Sequence, residues 1–165
     1  MPKLTQVKET KRGRYALFFD GEFAFSLDED TFAMAGLHTG DELEEWQIHD
    51  LQTKSDTRKA VDKAMDLLAL RDHAAGELYQ KLCRSFDPHS AAAAVAKMQE
   101  LNLLDDAGFA RRRAAELLRK RKSRRAILDD LYAKGIDRGA AAEAVEALFA
   151  QSEEDEEENP ELTNA

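Results

Sequence analysis

The densest chemistry in this 165-residue sequence lies between Arg111 and Arg125, RRRAAELLRKRKSRR, where nine Lys or Arg residues accompany one acid, Glu116. The whole chain carries a formal net charge of -9, so this ridge is a local inversion of sign. Seven of the nine cations are Arg and two are Lys. Guanidinium groups hold carboxylates and phosphates through two parallel hydrogen bonds, so an Arg-rich ridge suits docking onto an anion better than mere solubility. Arg111, Arg112, Arg119, Lys120, Lys122, Arg124 and Arg125 are the candidate partner- or DNA-binding residues. The competing reading is a solvated helix face, eased by pairing of Glu116 with Arg119 and Lys120. Two features weigh against it. Arg124 and Arg125 fall in the first turn of a helix, where a positive charge costs about 0.3–1 kcal/mol. Arg121 and Lys122 beside them add like-charge repulsion that nothing nearby in sequence relieves.

Other chemistry is sparse. No GxxxxGK[ST] loop is present, so ATP hydrolysis by the chain itself is not expected. His38, His49, His73 and His89 lack ligand spacing, and one cysteine, Cys83, precludes an internal disulfide. The acids at Asp28–Asp30 and Asp105–Asp106 sit where helices start, which capping explains. No catalytic residue, metal or cofactor is expected. The ridge has no interleaved aromatic residues, which disfavours base stacking along it. Lys134-Gly135-Ile136-Asp137 could mimic the turn of a helix-turn-helix, but the following helix is mostly alanine and acid, a poor reader of base edges.

The elements that must position the ridge are readable from period and punctuation. Residues 15–19 and 22–27 flank Asp20-Gly21, a strong hairpin signal. A two-residue turn pairs Phe18 with Phe23 and Ala16 with Phe25, placing Ala16, Phe18, Phe23, Phe25 and Leu27 on one apolar face. Leu4 to Glu9 adds a third strand. Asp28 caps a short helix ending at Gly36, and Thr39 or Asp41 opens another with Leu43, Trp46 and Leu51 inward. Ser55 or Asp56 starts a longer helix to about Arg71, with Val61, Ala64, Met65 and Leu68 on one stripe. Asp72, Pro88, Asp105, Ser123 and Asp137 then open five further helices. The ridge occupies the outer face of the helix capped by Asp105 and the start of the helix capped by Ser123. Cys83 reads as a small buried hydrophobe.

The last five helices and the end of the one before them repeat at a spacing of about 50 residues. Leu67-Leu68 matches Leu117-Leu118, Leu78 and Leu82 match Ile127 and Leu131, and Asp87 matches Asp137. The expected class is mainly α: tandem three-helix repeats preceded by a small β-hairpin or three-stranded sheet. The expected division is residues 1–54 for the hairpin and short acidic helices, 55–103 and 104–150 for the two repeats, and 151–165 for a disordered tail. That tail holds seven acids and no base, and residues 28–50 hold eight acids without Lys or Arg. No apolar run of membrane-spanning length is present, so a cytoplasmic protein without membrane contact is expected, and the acidic charge with the short repeats suggests a monomer.

Leu70-Arg71-Asp72-His73, Glu77-Leu78 with Lys81-Leu82, Leu103-Leu104-Asp105-Asp106 with Phe109-Ala110, and Lys134-Gly135-Ile136-Asp137 together resemble the RecX family, regulators of the RecA recombinase. Asp20 to Ser26 followed by an acidic helix is similar to the N-terminal extension of longer members. The resemblance covers about residues 4 to 150, with two recognisable repeats where many members have three. It implies a binding protein, not an enzyme, that takes the RecA filament on single-stranded DNA as partner. It further implies inhibition of RecA's ATPase, strand-exchange and coprotease activities, in the setting of DNA recombination, repair and the SOS response. The alternative from the ridge alone is a non-specific DNA-binding module independent of RecA.

Overall fold

The structure, a computed structural model, describes residues 1–158, with side chains through Glu154. Its described elements are β1 (Leu4–Glu9), β2 (Tyr15–Phe19), β3 (Glu22–Leu27), α1 (Glu29–Ala35), α2 (Glu45–Leu70), α3 (Ala75–Leu82), α4 (Pro88–Glu100), α5 (Asp106–Arg119), α6 (Arg124–Ala133) and α7 (Arg138–Glu158). The chain is thus mainly α with an N-terminal three-stranded sheet, as its periodicities require. Residues 1–63 with 86–94 form one compact unit, and residues 64–85 with 95 onward form a second.

In the first unit the strands follow one another in an antiparallel sheet, β1-β2-β3. Asp20 and Gly21 both take positive φ, 50° and 84°, the backbone that a two-residue hairpin turn demands. Phe18 pairs with Phe23 as expected, but the register then slips, and Leu17 rather than Ala16 faces Phe25. Ala24 is the extra residue on β3. A one-residue slip sends side chains to the opposite face of a sheet. The core cluster is therefore Leu4, Leu17, Phe19, Phe25 and Leu27 with Leu43 and Leu51, while Ala16, itself buried, lies on the other face with Phe18 and Phe23. Phe23 is 61% exposed.

Asp28 caps α1 by accepting from the Thr31 N–H at 3.1 Å, and Gly36 ends it in the left-handed region. The two helices expected between Thr39 and Arg71 are one, the 26-residue α2. Ser55, expected to open a helix, lies buried within it. Its hydroxyl donates to the Ser26 carbonyl and accepts from the Arg14 guanidinium, so its polarity is satisfied across the unit instead of by capping. Leu51 is buried, but Trp46 is 65% exposed, with its indole N–H donating to Glu44.

The core of the second unit is Phe109, Ala110, Ala114 and Leu117 of α5, Ile127 and Leu131 of α6, and Ala141, Ala144 and Val145 of α7, joined by Ala74 and Ile136. Asp105 caps α5, Ser123 caps α6, and Asp137 accepts from the Ala140 N–H at the start of α7. Asp72 does not cap α3; Ala74 stands there, and the Ala75 N–H donates to Asp106 at 2.8 Å instead. Several positions about 50 residues apart are alike. Asp87 accepts from Ser90 N–H as Asp137 does from Ala140, and Leu78, Leu82, Ile127 and Leu131 are all buried. Cys83 is half-buried rather than enclosed. Residues 151–158, expected to be disordered, continue α7 as helix, which a run of Glu favours by propensity; 159–165 lie outside the described residues.

Candidate anion-binding interface at the turn between α5 and α6

The buried stripe of α5, Phe109, Ala110, Ala114 and Leu117, turns Arg111, Arg112 and Arg119 outward to solvent. Arg113 is different. It points inward and forks onto Asp130, Nε to Oδ1 at 2.9 Å and Nη2 to Oδ2 at 3.1 Å, with Nη1 on Glu116 at 3.3 Å. Its guanidinium holds the Asp130 carboxyl below the usual range against the opposing effect of burial. Arg113 is therefore a structural cation joining α5 to α6.

α5 stops because Arg121 adopts the left-handed conformation, φ 62°. The Lys122 N–H then reaches back to the Leu117 carbonyl at 3.0 Å and the Arg121 N–H to Leu118 at 2.9 Å, the reciprocal pair of a Schellman motif. The same motif ends α4 at Asn102 (φ 58°) and α6 at Gly135 (φ 85°). Asn and Gly tolerate this backbone, whereas other L-residues carry a penalty of roughly 1–2 kcal/mol. The turn between α5 and α6 thus holds an arginine where the turns that end α4 and α6 hold the residues that the backbone prefers.

The nearby cations differ in how they are held. Arg112 meets Asp72 at 3.2 Å, Lys120 meets Glu116 at 3.5 Å, and Arg125 meets Asp129 at 3.3 Å. All three pairs are exposed, so each contributes little and can open to a stronger anion. Arg124 lies over the Phe149 ring, 5.4 Å from its centroid. These contacts relieve part of the repulsion at the start of α6 that had no evident relief in sequence. Arg111, Arg119, Arg121 and Lys122 are exposed and have no acidic partner among the described residues. Three of these four adjoin one another in the turn, and Arg111 sits about 12 Å back along α5, two turns from Arg119. Such an arrangement can hold extended anions such as a phosphodiester strand or an acidic protein surface; it has no group placed to transfer a proton or attack a bond.

A cleft of about 450 Å³ lies behind the ridge, lined by Arg71, Asp72, Phe109, Arg112, Arg113, Glu116 and Lys134. Its cations are matched internally. Glu77 accepts a fork from Arg71 at 3.1 and 3.0 Å and meets Lys134 at 3.4 Å. Burial pushes its carboxyl up, but Arg71 and Lys134 together bring it down to about 2. His73 is buried beside this network, accepting from Lys81 Nζ through Nε2 at 2.9 Å and donating from Nδ1 to the Arg71 carbonyl at 2.9 Å. Desolvation, with Arg71 and Lys81 close by, lowers its pKa and keeps it neutral. Among the described residues, no group of three His, Cys, Asp or Glu could hold a metal ion, and no helix is long and apolar enough to cross a membrane.

Sequence reasoning missed Arg121 as the terminator of α5 and the partners of Arg71. A Lys-Arg-Lys at the place where a Gly or Asn stop belongs was the available signal for the first. The second pairs Arg71 with Lys134 through one carboxylate, a long-range contact without a local pattern.

Residues 105–145, which include this turn, match a family described as RecX, second three-helix domain. A regulatory protein RecX of Caldanaerobacter subterraneus is 27% identical over 149 residues, covering 90% of this chain and 76% of that protein. Those of Lactobacillus gasseri and Lactobacillus johnsonii are 31% and 34% identical, covering 94% and 82% of this chain. The chain spans 57% and 51% of the length of these two relatives. A crystal structure of a regulatory protein RecX superposes with a TM-score of 0.66 at 24% identity, over 90% of this chain and 74% of that one, which shows the shared fold. Residues 105–145 thus match the second three-helix domain of the RecX family, and the chain as a whole is similar in sequence to regulatory proteins RecX.

Proposed function

We propose that the chain regulates the RecA recombinase by binding its filament on single-stranded DNA. Its effect is to suppress ATP hydrolysis, strand exchange and coprotease activity. The action is stoichiometric binding by a monomer, without catalysis and without a cofactor. The observation that carries this reading is Arg121. A left-handed position that Gly or Asn would fill at lower cost is held by arginine, beside exposed Arg119 and Lys122, which have no acidic partner among the described residues. A local rule broken without a compensating contact among the described residues points to a partner group. The names of the related proteins supply the direction, that of a regulator. Arg111, Arg112, Lys120, Arg124 and Arg125 complete the surface, their weak internal pairs exchanging for contacts with the filament.

Co-pelleting tests it. RecA filaments assembled on single-stranded DNA should carry the wild-type chain into the pellet, and a variant with Arg119, Arg121 and Lys122 replaced by Glu should remain in the supernatant. Equal recovery of both would remove the ridge from the interface. The same ridge also fits phosphates without RecA. Binding to a labelled oligonucleotide over a salt series separates the two, because phosphate contact weakens steeply with salt.

A further inference from the structure

The register slip in the hairpin leaves two aromatic rings outside the core. Phe18 and Phe23 sit opposite each other on β2 and β3, with ring centroids 5.7 Å apart in an edge-to-face arrangement. Phe23 is 61% exposed and Phe18 half-buried. Across β1, Gln6 is the register partner of Phe18, and Lys8 is the partner of Ala16, which in turn faces Ser26. Since alternate residues share a face, Gln6, Lys8, Phe18 and Phe23 lie together on the side of the sheet away from Leu17, Phe19, Phe25 and Leu27.

The charge around this face is positive. Lys8, Lys11 and Arg12 are exposed and have no acidic partner among the described residues, and Lys3, also exposed, is the bridge partner of Glu42. The other nearby acids are placed elsewhere. Glu9 and Glu22 pair in register with Tyr15 and Phe19, whose alternation puts them opposite the Phe18 face. Asp20 accepts from the Lys3 N–H at 3.1 Å in the turn. An apolar docking patch for a protein would not need a ring of unpaired cations, and a purely electrostatic site would not need two rings. Exposed rings on adjacent strands with cations at the margin fit an unpaired base stacked on the sheet and a phosphodiester backbone along its edge. A duplex offers no free base face to the rings.

We propose that the outer face of the N-terminal sheet binds single-stranded nucleic acid, with Phe23 and Phe18 as the stacking platform and Lys8, Lys11 and Arg12 as phosphate contacts. This surface is separate in sequence from the ridge at Arg111–Arg125, and it does not depend on the RecA reading.

The test uses the full chain without RecA and a fluorescent single-stranded oligothymidylate at low salt. Phe23→Ala should weaken binding roughly ten-fold, as loss of one stacked base does, while Phe23→Trp retains it. Phe18→Leu, which keeps the half-buried volume, should weaken it in the same direction. Lys8→Ala should reduce the dependence of affinity on salt, and Phe23→Ala should leave that dependence unchanged. Affinity for the matching duplex should not respond to Phe23. Thermal unfolding of Phe23→Ala should match that of wild type, since the ring is outside the core. Absence of single-strand binding by the wild type overturns the proposal, as does equal affinity of Phe23→Ala and wild type. Weakened binding to RecA with oligonucleotide affinity unchanged also overturns it, because the face would then dock a protein.

Discussion

Gly76 and Gly135 meet backbone to backbone. A Cβ at Gly76 would lie 2.9 Å from the Gly135 Cα, and one at Gly135 would lie 2.8 Å from the Gly76 Cα. The contact brings the start of α3 against the turn between α6 and α7, and it places Glu77 within reach of Lys134. Both positions therefore require glycine, Gly135 also for its φ of 85°.

Gly76→Ala tests that contact with a sign opposite to the usual one. In a helix without such a neighbour the change stabilises by about 0.5–1 kcal/mol. Here the added methyl meets backbone, and overpacking of that kind costs about 1–3 kcal/mol. The urea midpoint of Gly76→Ala should fall; an unchanged or higher midpoint would show that the two segments part without cost.

Glu77 makes the second unit sensitive to acid. Its carboxyl titrates near 2 in the fold against 4.5 for the free group. A depressed carboxylate contributes stability that is complete above the unfolded value and is lost as pH falls through the folded one. The window is therefore pH 4.5 down to about 2. The wild type should lose stability across it by a few kcal/mol more than Glu77→Gln. Urea unfolding at pH 5 and at pH 2.5 measures both; parallel losses in the two proteins would contradict the assignment.

Arg121→Gly should separate stability from function. Glycine removes the left-handed penalty, so the variant should unfold about 1 kcal/mol later than wild type. It also removes a cation from the middle of the ridge, so filament binding should weaken. A variant both more stable and equally tight would leave the arginine unexplained by a partner.

Arg113 and Arg111 should behave oppositely although both belong to the basic run. Arg113→Ala leaves Asp130 half-buried without its fork and should destabilise by about 1–3 kcal/mol. Arg111→Ala, on the exposed face, should stay within about 0.5 kcal/mol. Thermal unfolding of the pair decides, and equal melting temperatures would contradict the division of the run into structural and free cations.

What was legible in the residues was chemistry confined to one turn. The caps Asp28, Asp105, Ser123 and Asp137 and the stops Gly36 and Gly135 each depend on a neighbour three to five residues away, so local types suffice. What was not legible depends on distant partners. Ser55 resembles a helix start until Arg14, 41 residues earlier, and Ser26, 29 residues earlier, are seen to satisfy it. Asp72 resembles a cap, but its carboxylate meets Arg112, 40 residues on. The bulge at Leu17/Phe18 reverses the faces of a correctly placed hairpin, because alternation has no tolerance for one extra residue. The ridge was visible as charge. Its sorting into the fixed Arg113, the loosely paired Arg112, Lys120 and Arg125, and Arg111, Arg119, Arg121 and Lys122, which have no acidic partner among the described residues, required the fold.

The central claim, regulation of RecA through the basic turn, is tested most directly by RecA's ATP hydrolysis on single-stranded DNA. The wild-type chain, titrated from substoichiometric to stoichiometric amounts, should suppress hydrolysis progressively. The variant with Arg119, Arg121 and Lys122 replaced by Glu should leave the rate near that of RecA alone. Hydrolysis unchanged by the wild-type chain across that range would contradict the account.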